Sequence, residues 1–298
     1  MIDALEALAL DGTATGLLDR GGRQLRWFSA GSGPATVVLE PGAGDSASIW
    51  LPIVARLTAV ARVVMYDRAG FGDSGKPARL DLGVTLADLR AIVGEVSGVS
   101  CVLIGHSWGG LLVQLLALAD PGLISALVLV DPAHERFWLD MPASDLAMMA
   151  RAHLDLDVSA HIAEHAESSR WVAESTTDDP ALRELVRRAH LAYAATERQV
   201  RNAAAELPLI AASLDDLVRR RAAAPPISAP TVLLTAMKGR PEQYRQPVLD
   251  VQEGLVAAMP SAAHEVVWDS GHYIHVEQPQ RVVAATKDVV AQAASSCS

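Results

Sequence analysis

Short apolar runs recur along the chain, and each of them ends at turn residues or a polar loop. The runs are apolar on both faces and alternate with helical segments, which predicts a mostly parallel sheet that helices cover on both sides. An antiparallel hairpin formed by residues 15–19 and 23–30 is predicted ahead of them. The predicted parallel strands are Thr36–Leu39, Arg62–Tyr66, Cys101–Ile104, Ala126–Val130, Thr231–Leu234 and His264–Trp268. The pattern therefore predicts an α/β fold.

The strand rhythm stops over residues 133–227, where the pattern becomes helical. Pro180, preceded by two aspartates, marks the start of one helix, and a second is predicted over Leu209–Arg221. Ligands bind at the carboxyl ends of the strands in open α/β sheets, so an insertion here is expected to cover those ends. We therefore expect a helical cap at 133–227 on a core formed by residues 1–132 and 228–298.

The run GHSWG at residues 105–109 lies between a predicted strand and an apolar run that predicts a helix. A serine held between a strand and a helix takes an unfavourable backbone conformation. The crowding there requires glycine two residues before the serine and two residues after it. Gly105 and Gly109 occupy these positions. G-x-S-x-G in this context is typical of a nucleophile elbow, which makes Ser107 the candidate nucleophile.

A serine hydroxyl needs a base within hydrogen-bond reach and a carboxylate that orients the base. His272 is the candidate base, because it follows the last predicted strand on a loop expected at the same sheet edge as Ser107. His275 and His134 are the alternatives, whereas His106 is expected to point away from the serine. The histidines of the cap are expected to be solvated or to pack; they are His153, His161, His165 and His190.

Two acids compete for the orienting role. Asp131 directly follows the strand next to the elbow strand, and its loop can reach an imidazole above the serine. The segment after the strand Thr231–Leu234 contains no aspartate, and its acid is Glu242. We expect Asp131 to orient His272, with Glu242 as the alternative. Asp67, at the end of another strand, is expected to hold its own turn together.

Acyl transfer also needs two backbone N–H groups that point at the negative charge developing on the attacked oxygen. One is expected from Trp108, at a helix N-terminus whose dipole favours negative charge. The other is expected from the loop at residues 40–45, with Ala43 as the donor. Glycines in this loop, among them Gly42, let the backbone approach a ligand closely.

Charge and composition exclude several classes of partner. The formal net charge of −10 argues against nucleic acid or an anionic membrane. The longest apolar runs are too short to span a bilayer, and the N-terminus carries acids where a signal peptide carries lysine or arginine. We therefore expect a soluble, cytoplasmic protein. Cys101, in a predicted core strand, and Cys297, in the tail, have no metal-type spacing, and no metal site is expected.

Taken together, these motifs resemble the α/β-hydrolase superfamily over roughly residues 15–292. Besides the elbow, residues 66–74 are similar to the family's D-x-R-G-x-G-x-S stretch, and residues 270–272 are similar to its terminal histidine motif. The order Ser, Asp, His matches the family's triad. Pro41 stands where the family usually has histidine. The missing acid after the strand at 231–234 implies the variant, found in haloalkane-dehalogenase-like members, whose acid precedes the cap.

The resemblance implies a capped serine hydrolase that acts through an acyl-enzyme on a small, largely apolar ester, lactone, thioester or amide, with no cofactor. Serine in place of a carboxylate nucleophile argues against dehalogenase or epoxide-hydrolase chemistry. Acyl transfer or macrocyclisation is an alternative, and a non-hydrolytic ligand receptor is another. The substrate and the oligomeric state stay open. Aromatic residues that could line an acyl site are Trp50, Phe137, Trp138 and Trp171, and arginines that could pair with a substrate carboxylate are Arg136, Arg151 and Arg170.

Overall fold

The computed structural model describes residues 1–76, 80–97, 100–151 and 156–296. Within these residues, eight strands form one sheet. The strands are Ala14–Asp19 (β1), Gln24–Ala30 (β2), Ala35–Glu40 (β3), Ala61–Tyr66 (β4), Cys101–His106 (β5), Ile124–Val130 (β6), Thr231–Ala236 (β7) and Ala262–Val267 (β8). Their order across the sheet is β1-β2-β4-β3-β5-β6-β7-β8. The pairs β1–β2 and β2–β4 are antiparallel and the other neighbours are parallel, so the predicted α/β fold is confirmed.

Helices connect the strands. They are Ile2–Ala7 (α1), Leu51–Leu57 (α2), Leu82–Ser97 (α3), Trp108–Ala119 (α4), Arg136–Leu139 (α5), Ala143–Arg151 (α6), Val158–Thr176 (α7), Pro180–Ala194 (α8), Glu197–Ala223 (α9), Glu242–Ala257 (α10), Ile274–Glu277 (α11) and Pro279–Ser296 (α12). Alternate residues of the central strands pack into two separate cores, one on each face of the sheet. In β6, Val128 and Val130 belong to one core, and Leu127 and Leu129 belong to the other. This burial on both faces is why the strands are continuously apolar.

Helices α5–α9, which we call the helical insertion, occupy the chain between β6 and β7. They contact the segment that leaves the carboxyl end of β3. His190 Nδ1 of α8 lies 2.8 Å from Ser48 Oγ, and Glu206 of α9 accepts the N–H of Gly44 at 2.6 Å. The loop after β3 therefore lies directly against the insertion.

The start of α9 differs from the sequence expectation. A helix was expected around Leu209–Arg221, whereas α9 begins at Glu197 and continues through Pro208. Proline normally ends or kinks a helix because it lacks the backbone N–H. The helix nevertheless begins well before the proline, where Thr196 caps it by accepting the N–H of Gln199 at 3.1 Å. The predicted start of α8 holds, since Asp179 accepts two N–H groups just after Pro180.

No helix in the described part of the chain has both the length and the apolar character needed to cross a membrane. Cys101 is buried in β5, and Cys297 lies outside the described residues, as does His153.

Candidate active site

Ser107 lies in a tight turn between β5 and α4. Its backbone has φ of 51° and ψ of −119°, a region that L-residues rarely adopt and that stores strain at functional sites. A Cβ atom at Gly105 would lie 2.6 Å from the carbonyl oxygen of Gly109, and one at Gly109 would lie 2.4 Å from that of Glu40. The turn therefore has the crowded strand–turn–helix geometry that the glycine spacing predicts.

Asp131 and His272 meet beside this turn. Asp131 directly follows β6, with φ of 40°, and its Oδ2 atom accepts a hydrogen bond from His272 Nδ1 at 2.6 Å. Oδ1 of the same carboxylate accepts the N–H of Ala236 at 3.0 Å. The Asp131 side chain is buried, whereas that of His272 is 46% exposed. With Nδ1–H donated to the carboxylate, Nε2 is the ring atom left to accept a proton.

Ser107, Asp131 and His272 line one cavity of about 420 Å³. Phe137 and Trp138 of α5 form an apolar part of its wall. The polar part comes from the segment after β7, which contributes Lys238 and Arg240 among others. The structure thus brings together the three residues that the sequence selected as nucleophile, acid and base.

Glu242, the alternative acid, is the exposed first residue of α10. In the same segment, Arg240 binds Asp131, a contact that the sequence did not indicate. Its Nη2 atom donates to Asp131 Oδ2 at 3.1 Å and to Oδ1 at 3.4 Å. An arginine in a loop after a strand has no local signature of such a role.

His106 is buried and contacts the loop that carries His272. Its Nε2 atom donates to the backbone carbonyl of His272 at 3.0 Å, which ties the histidine loop to the end of β5. Burial, followed by the charge of His272, lowers the pKa of His106 well below its usual value. A neutral imidazole carries only one N–H. Because His106 donates from Nε2, its Nδ1 atom has a lone pair and no proton.

The other candidate histidines lie elsewhere. His134 Nδ1 accepts the N–H of Arg136 at 3.2 Å, and His134 lines a different cavity. His275 is fully buried, with its ring centroid 4.3 Å from that of Trp50. Trp50 is therefore a packing residue. The three arginines considered for a substrate carboxylate are exposed; they are Arg136, Arg151 and Arg170.

The loop after β3 is fixed by a buried guanidinium. Arg68, after β4, donates to the carbonyls of Pro41 and Gly42, both at 2.6 Å. It also pairs with Glu40 at 3.1 Å and with Glu206 of α9 at 2.9 Å. Burial raises the pKa of Glu40 to about 7, although Arg68 opposes this shift. These bonds connect the loop at residues 40–45 both to the sheet and to the helical insertion.

The remaining predicted site residues lie around this loop. Gly42 is buried, and a Cβ atom there would lie 2.7 Å from His106 Nδ1. Ala43 is half-buried and lines a second cavity, of about 310 Å³, against α9. Trp108 is buried as the first residue of α4, where backbone N–H groups have no partner within the helix. Asp67 accepts the N–H groups of Ala47 at 3.0 Å and Asp73 at 3.2 Å, which holds its turn.

Residues 37–285 match the model of the Alpha/beta hydrolase family, and the chain belongs to this family. The match covers the sheet from β3 onward, the elbow, the helical insertion and the His272 loop. Within the described residues, no group of three or more His, Cys, Asp or Glu side chains could hold a metal ion.

Curated relatives match over part of their length. The chain is 41% identical over 107 residues to the "Putative carbamate hydrolase RutD" of Variovorax paradoxus, covering 33% of this chain and 40% of that protein. It is 31% identical over 109 residues to the pimeloyl-[acyl-carrier protein] methyl ester esterase of Yersinia pseudotuberculosis, covering 36% and 40%. The chain thus spans about 40% of the length of these relatives.

Solved structures match over nearly the whole chain. Cfl2 from Burkholderia cenocepacia has a TM-score of 0.71 at 20% identity, with 93% of this chain and 95% of that one covered. At this identity the match shows that the two proteins share a fold.

Proposed function

We propose that this protein is a serine hydrolase that cleaves an ester, lactone, thioester or amide carbonyl through an acyl-enzyme. The observation that carries the proposal is the 2.6 Å hydrogen bond between Asp131 Oδ2 and His272 Nδ1, in the cavity that Ser107 also lines. Two of the curated relatives are named for the hydrolysis of a carbamate and of a methyl ester. Both names describe attack at an acyl carbonyl, which supports the reaction class.

The reaction begins when Ser107 Oγ attacks the carbonyl carbon and its proton passes to His272 Nε2. Asp131 holds the ring in the tautomer that can accept this proton and stabilises the imidazolium that forms. The imidazolium then gives its proton to the leaving group as the carbon–leaving-group bond breaks, which leaves an acyl group on Ser107. Water, deprotonated by His272, attacks this acyl group. The bond between the acyl carbon and Ser107 Oγ then breaks, and His272 returns the proton to Oγ as the acid leaves. Side chains and water supply every reacting group, so no cofactor enters.

The backbone N–H groups of Ala43 and Trp108 are the proposed donors to the oxyanion. Trp108 contributes an N–H at the start of α4, where the helix dipole favours negative charge. Gly42, whose carbonyl is held by Arg68, keeps the loop close to the substrate without a side chain of its own. A preorganised loop matters because donors that need no reorientation stabilise the transition state most.

The substrate is proposed to be a small molecule with a largely apolar part next to Phe137 and Trp138, the aromatic wall of the 420 Å³ cavity. The helical insertion, within residues 133–227, acts as a cap on the core formed by residues 1–132 and 228–298. Its contacts with the loop after β3 support this role, because that loop carries one proposed oxyanion donor.

A screen of p-nitrophenyl esters, lactones and aminoacyl amides tests the proposal. The wild-type protein is expected to turn over at least one class catalytically, and Ser107→Ala is expected to show none of this turnover. Undiminished turnover by Ser107→Ala would contradict the proposal. Product release limited to one equivalent would favour the ligand receptor, and ester transfer to an added alcohol in preference to water would favour the acyltransferase.

A further inference from the structure

A small cavity of about 150 Å³ lies between the loop after β3 and the helical insertion. We call it the Asp45 pocket. Its lining combines two carboxylates, Asp45 and Glu164, with two aromatic rings, Trp171 and Tyr273. Tyr273 directly follows the proposed base, and Asp45 ends the loop that carries Ala43, one of the two proposed oxyanion donors. His106 lies between the two sites: its Nδ1 atom is 3.7 Å from Asp45 Oδ2, and its ring centroid is 4.5 Å from that of His272.

Among the described residues, no arginine or lysine forms an ion pair with the Asp45 carboxylate. Its side chain is only 12% exposed, and Oδ2 is buried without a hydrogen-bond partner among the described residues. The nearest group that could carry positive charge is His106, whose Nδ1 atom is 3.7 Å away. That ring already donates from Nε2 to the carbonyl of His272, and burial keeps it neutral. A buried carboxylate left in this state costs free energy unless a cation or hydrogen-bond donor binds to it.

The rest of the pocket adds negative rather than positive charge at neutral pH. Glu164 is exposed on α7. Burial lowers the pKa of His165, and it lowers that of His190 to about 4. The charge of Arg68 reaches Asp45, but its guanidinium donates to Glu206, Glu40 and two backbone carbonyls instead. Because burial raises the pKa of Asp45 only to about 6, its carboxyl is mostly ionised at neutral pH.

The aromatic rings complete a surface suited to a cation. Trp171 and Tyr273 meet edge to face with their centroids 5.9 Å apart. Aromatic faces attract ammonium groups, most strongly where water is excluded. A quaternary ammonium has no N–H to offer Asp45, whereas a primary ammonium carries three donors on one small group.

We propose that the Asp45 pocket binds a primary ammonium group of the substrate, so that the preferred substrates are amino-substituted esters or amides. The inference rests on the proposed hydrolase function, since it names the substrate class of that site. Asp45 would accept hydrogen bonds from the ammonium, and Trp171 and Tyr273 would cover its apolar carbon. The scissile carbonyl would then extend toward Ser107.

Paired substrates test the inference at neutral pH. The p-nitrophenyl esters of β-alanine and ε-aminocaproate are each compared with the alkanoate ester in which a methyl group replaces the ammonium. The measured quantity is the ratio of kcat/KM for the amino ester to that for its neutral partner. Asp45→Asn is expected to lower this ratio about ten- to hundredfold, the range of one charge-assisted hydrogen bond. An unchanged ratio in Asp45→Asn would overturn the inference.

Two further variants keep the result interpretable. Glu167→Gln removes a charge from an exposed position on the same helix as Glu164, outside the lining of the pocket, and should leave the ratio unchanged. If Asp45→Asn does not fold, Glu164→Lys places a positive charge at the rim and should lower the ratio several-fold. A ratio that Glu164→Lys leaves unchanged would also overturn the inference.

A binding measurement separates this inference from the proposed function. In calorimetry, Ser107→Ala should bind n-hexylammonium with higher affinity than n-hexanol. The double variant Ser107→Ala/Asp45→Asn should lose this difference in affinity. Binding of the amine by a protein that turns over no ester would reject the hydrolase but retain the pocket. Ester turnover with no preference for the amine in either assay would reject the pocket but retain the hydrolase.

Discussion

Arg240 donates to both carboxylate oxygens of Asp131, at 3.1 Å to Oδ2 and 3.4 Å to Oδ1. Oδ2 also accepts the hydrogen bond from His272, and Oδ1 also accepts the N–H of Ala236. The carboxylate is thus held from β7, from the loop after β7 and from the loop after β8 that carries His272. Arg240 lies in the segment after β7, which contains no aspartate. From this segment it binds the carboxylate of Asp131.

We expect Arg240→Gln to lower kcat about ten- to hundredfold, because a carboxylate that moves by a fraction of an ångström no longer aligns the imidazole. Arg240→Lys should recover part of this loss by keeping the charge without the planar fork. Arg188→Gln, at an exposed site on α8, is the control and should keep full activity. Steady-state kinetics on one activated ester measures all three, and a fully active Arg240→Gln would show that the contact does not position Asp131.

Asp131→Asn should leave KM nearly unchanged and lower kcat strongly. The amide favours the wrong tautomer of His272 and cannot stabilise the imidazolium; in the serine-protease triad the equivalent change costs about 10⁴-fold. Glu242→Gln, at the exposed start of α10, should have little effect. The two variants are compared by kcat on the same ester. A crippled Glu242→Gln beside a nearly normal Asp131→Asn would reverse the assignment of the acid.

Gly109→Ala should reduce both stability and activity. Its Cβ would lie 2.4 Å from the carbonyl oxygens of Glu40 and Pro41, so the elbow and the loop after β3 must separate. Overpacking of this kind costs about 1–3 kcal/mol. Gly94→Ala on α3 is the matched control, since open space surrounds that position, and it should raise helix stability by up to about 1 kcal/mol. Chemical denaturation measures the free energy of unfolding of both variants. Equal values for the two variants would contradict the elbow geometry.

Much of the fold and the three central residues of the candidate site could be predicted from local sequence patterns. The strands could be predicted because their residues are apolar on both faces. Ser107 could be predicted because the crowded turn around it has room only for glycine two residues before it and two residues after it. Asp131 could be chosen because it ends the strand next to the elbow. Arg240, His106 and the pairing of Arg68 with Glu206 could not be predicted. These contacts join residues far apart in the chain, and a single arginine or histidine in a loop does not specify its partner.

The free energy of unfolding should depend on pH through Asp45. Burial raises the pKa of its carboxyl from 3.8 to about 6. Between these values the unfolded chain has lost the proton that the folded protein keeps, so stability falls as pH rises through this window. Asp45→Asn removes this titration. The stability of the variant relative to wild type should therefore increase by about 2–3 kcal/mol between about pH 4 and about pH 7.

Urea denaturation at several pH values measures this difference. Glu167→Gln, exposed on α7, should follow the wild-type curve throughout. If Asp45→Asn also runs parallel to wild type, the Asp45 carboxyl does not titrate with a raised pKa in the folded protein.

The central claim is that Ser107 is a nucleophile activated by His272 and Asp131. Intact-protein and peptide mass spectrometry after treatment with a fluorophosphonate tests it most directly, since this reagent forms a covalent bond with an activated serine and requires no knowledge of the substrate. We expect one adduct per wild-type chain, mapped to Ser107, much slower labelling of His272→Ala, and none in Ser107→Ala. An adduct on another serine, or undiminished labelling of Ser107→Ala, would contradict the claim.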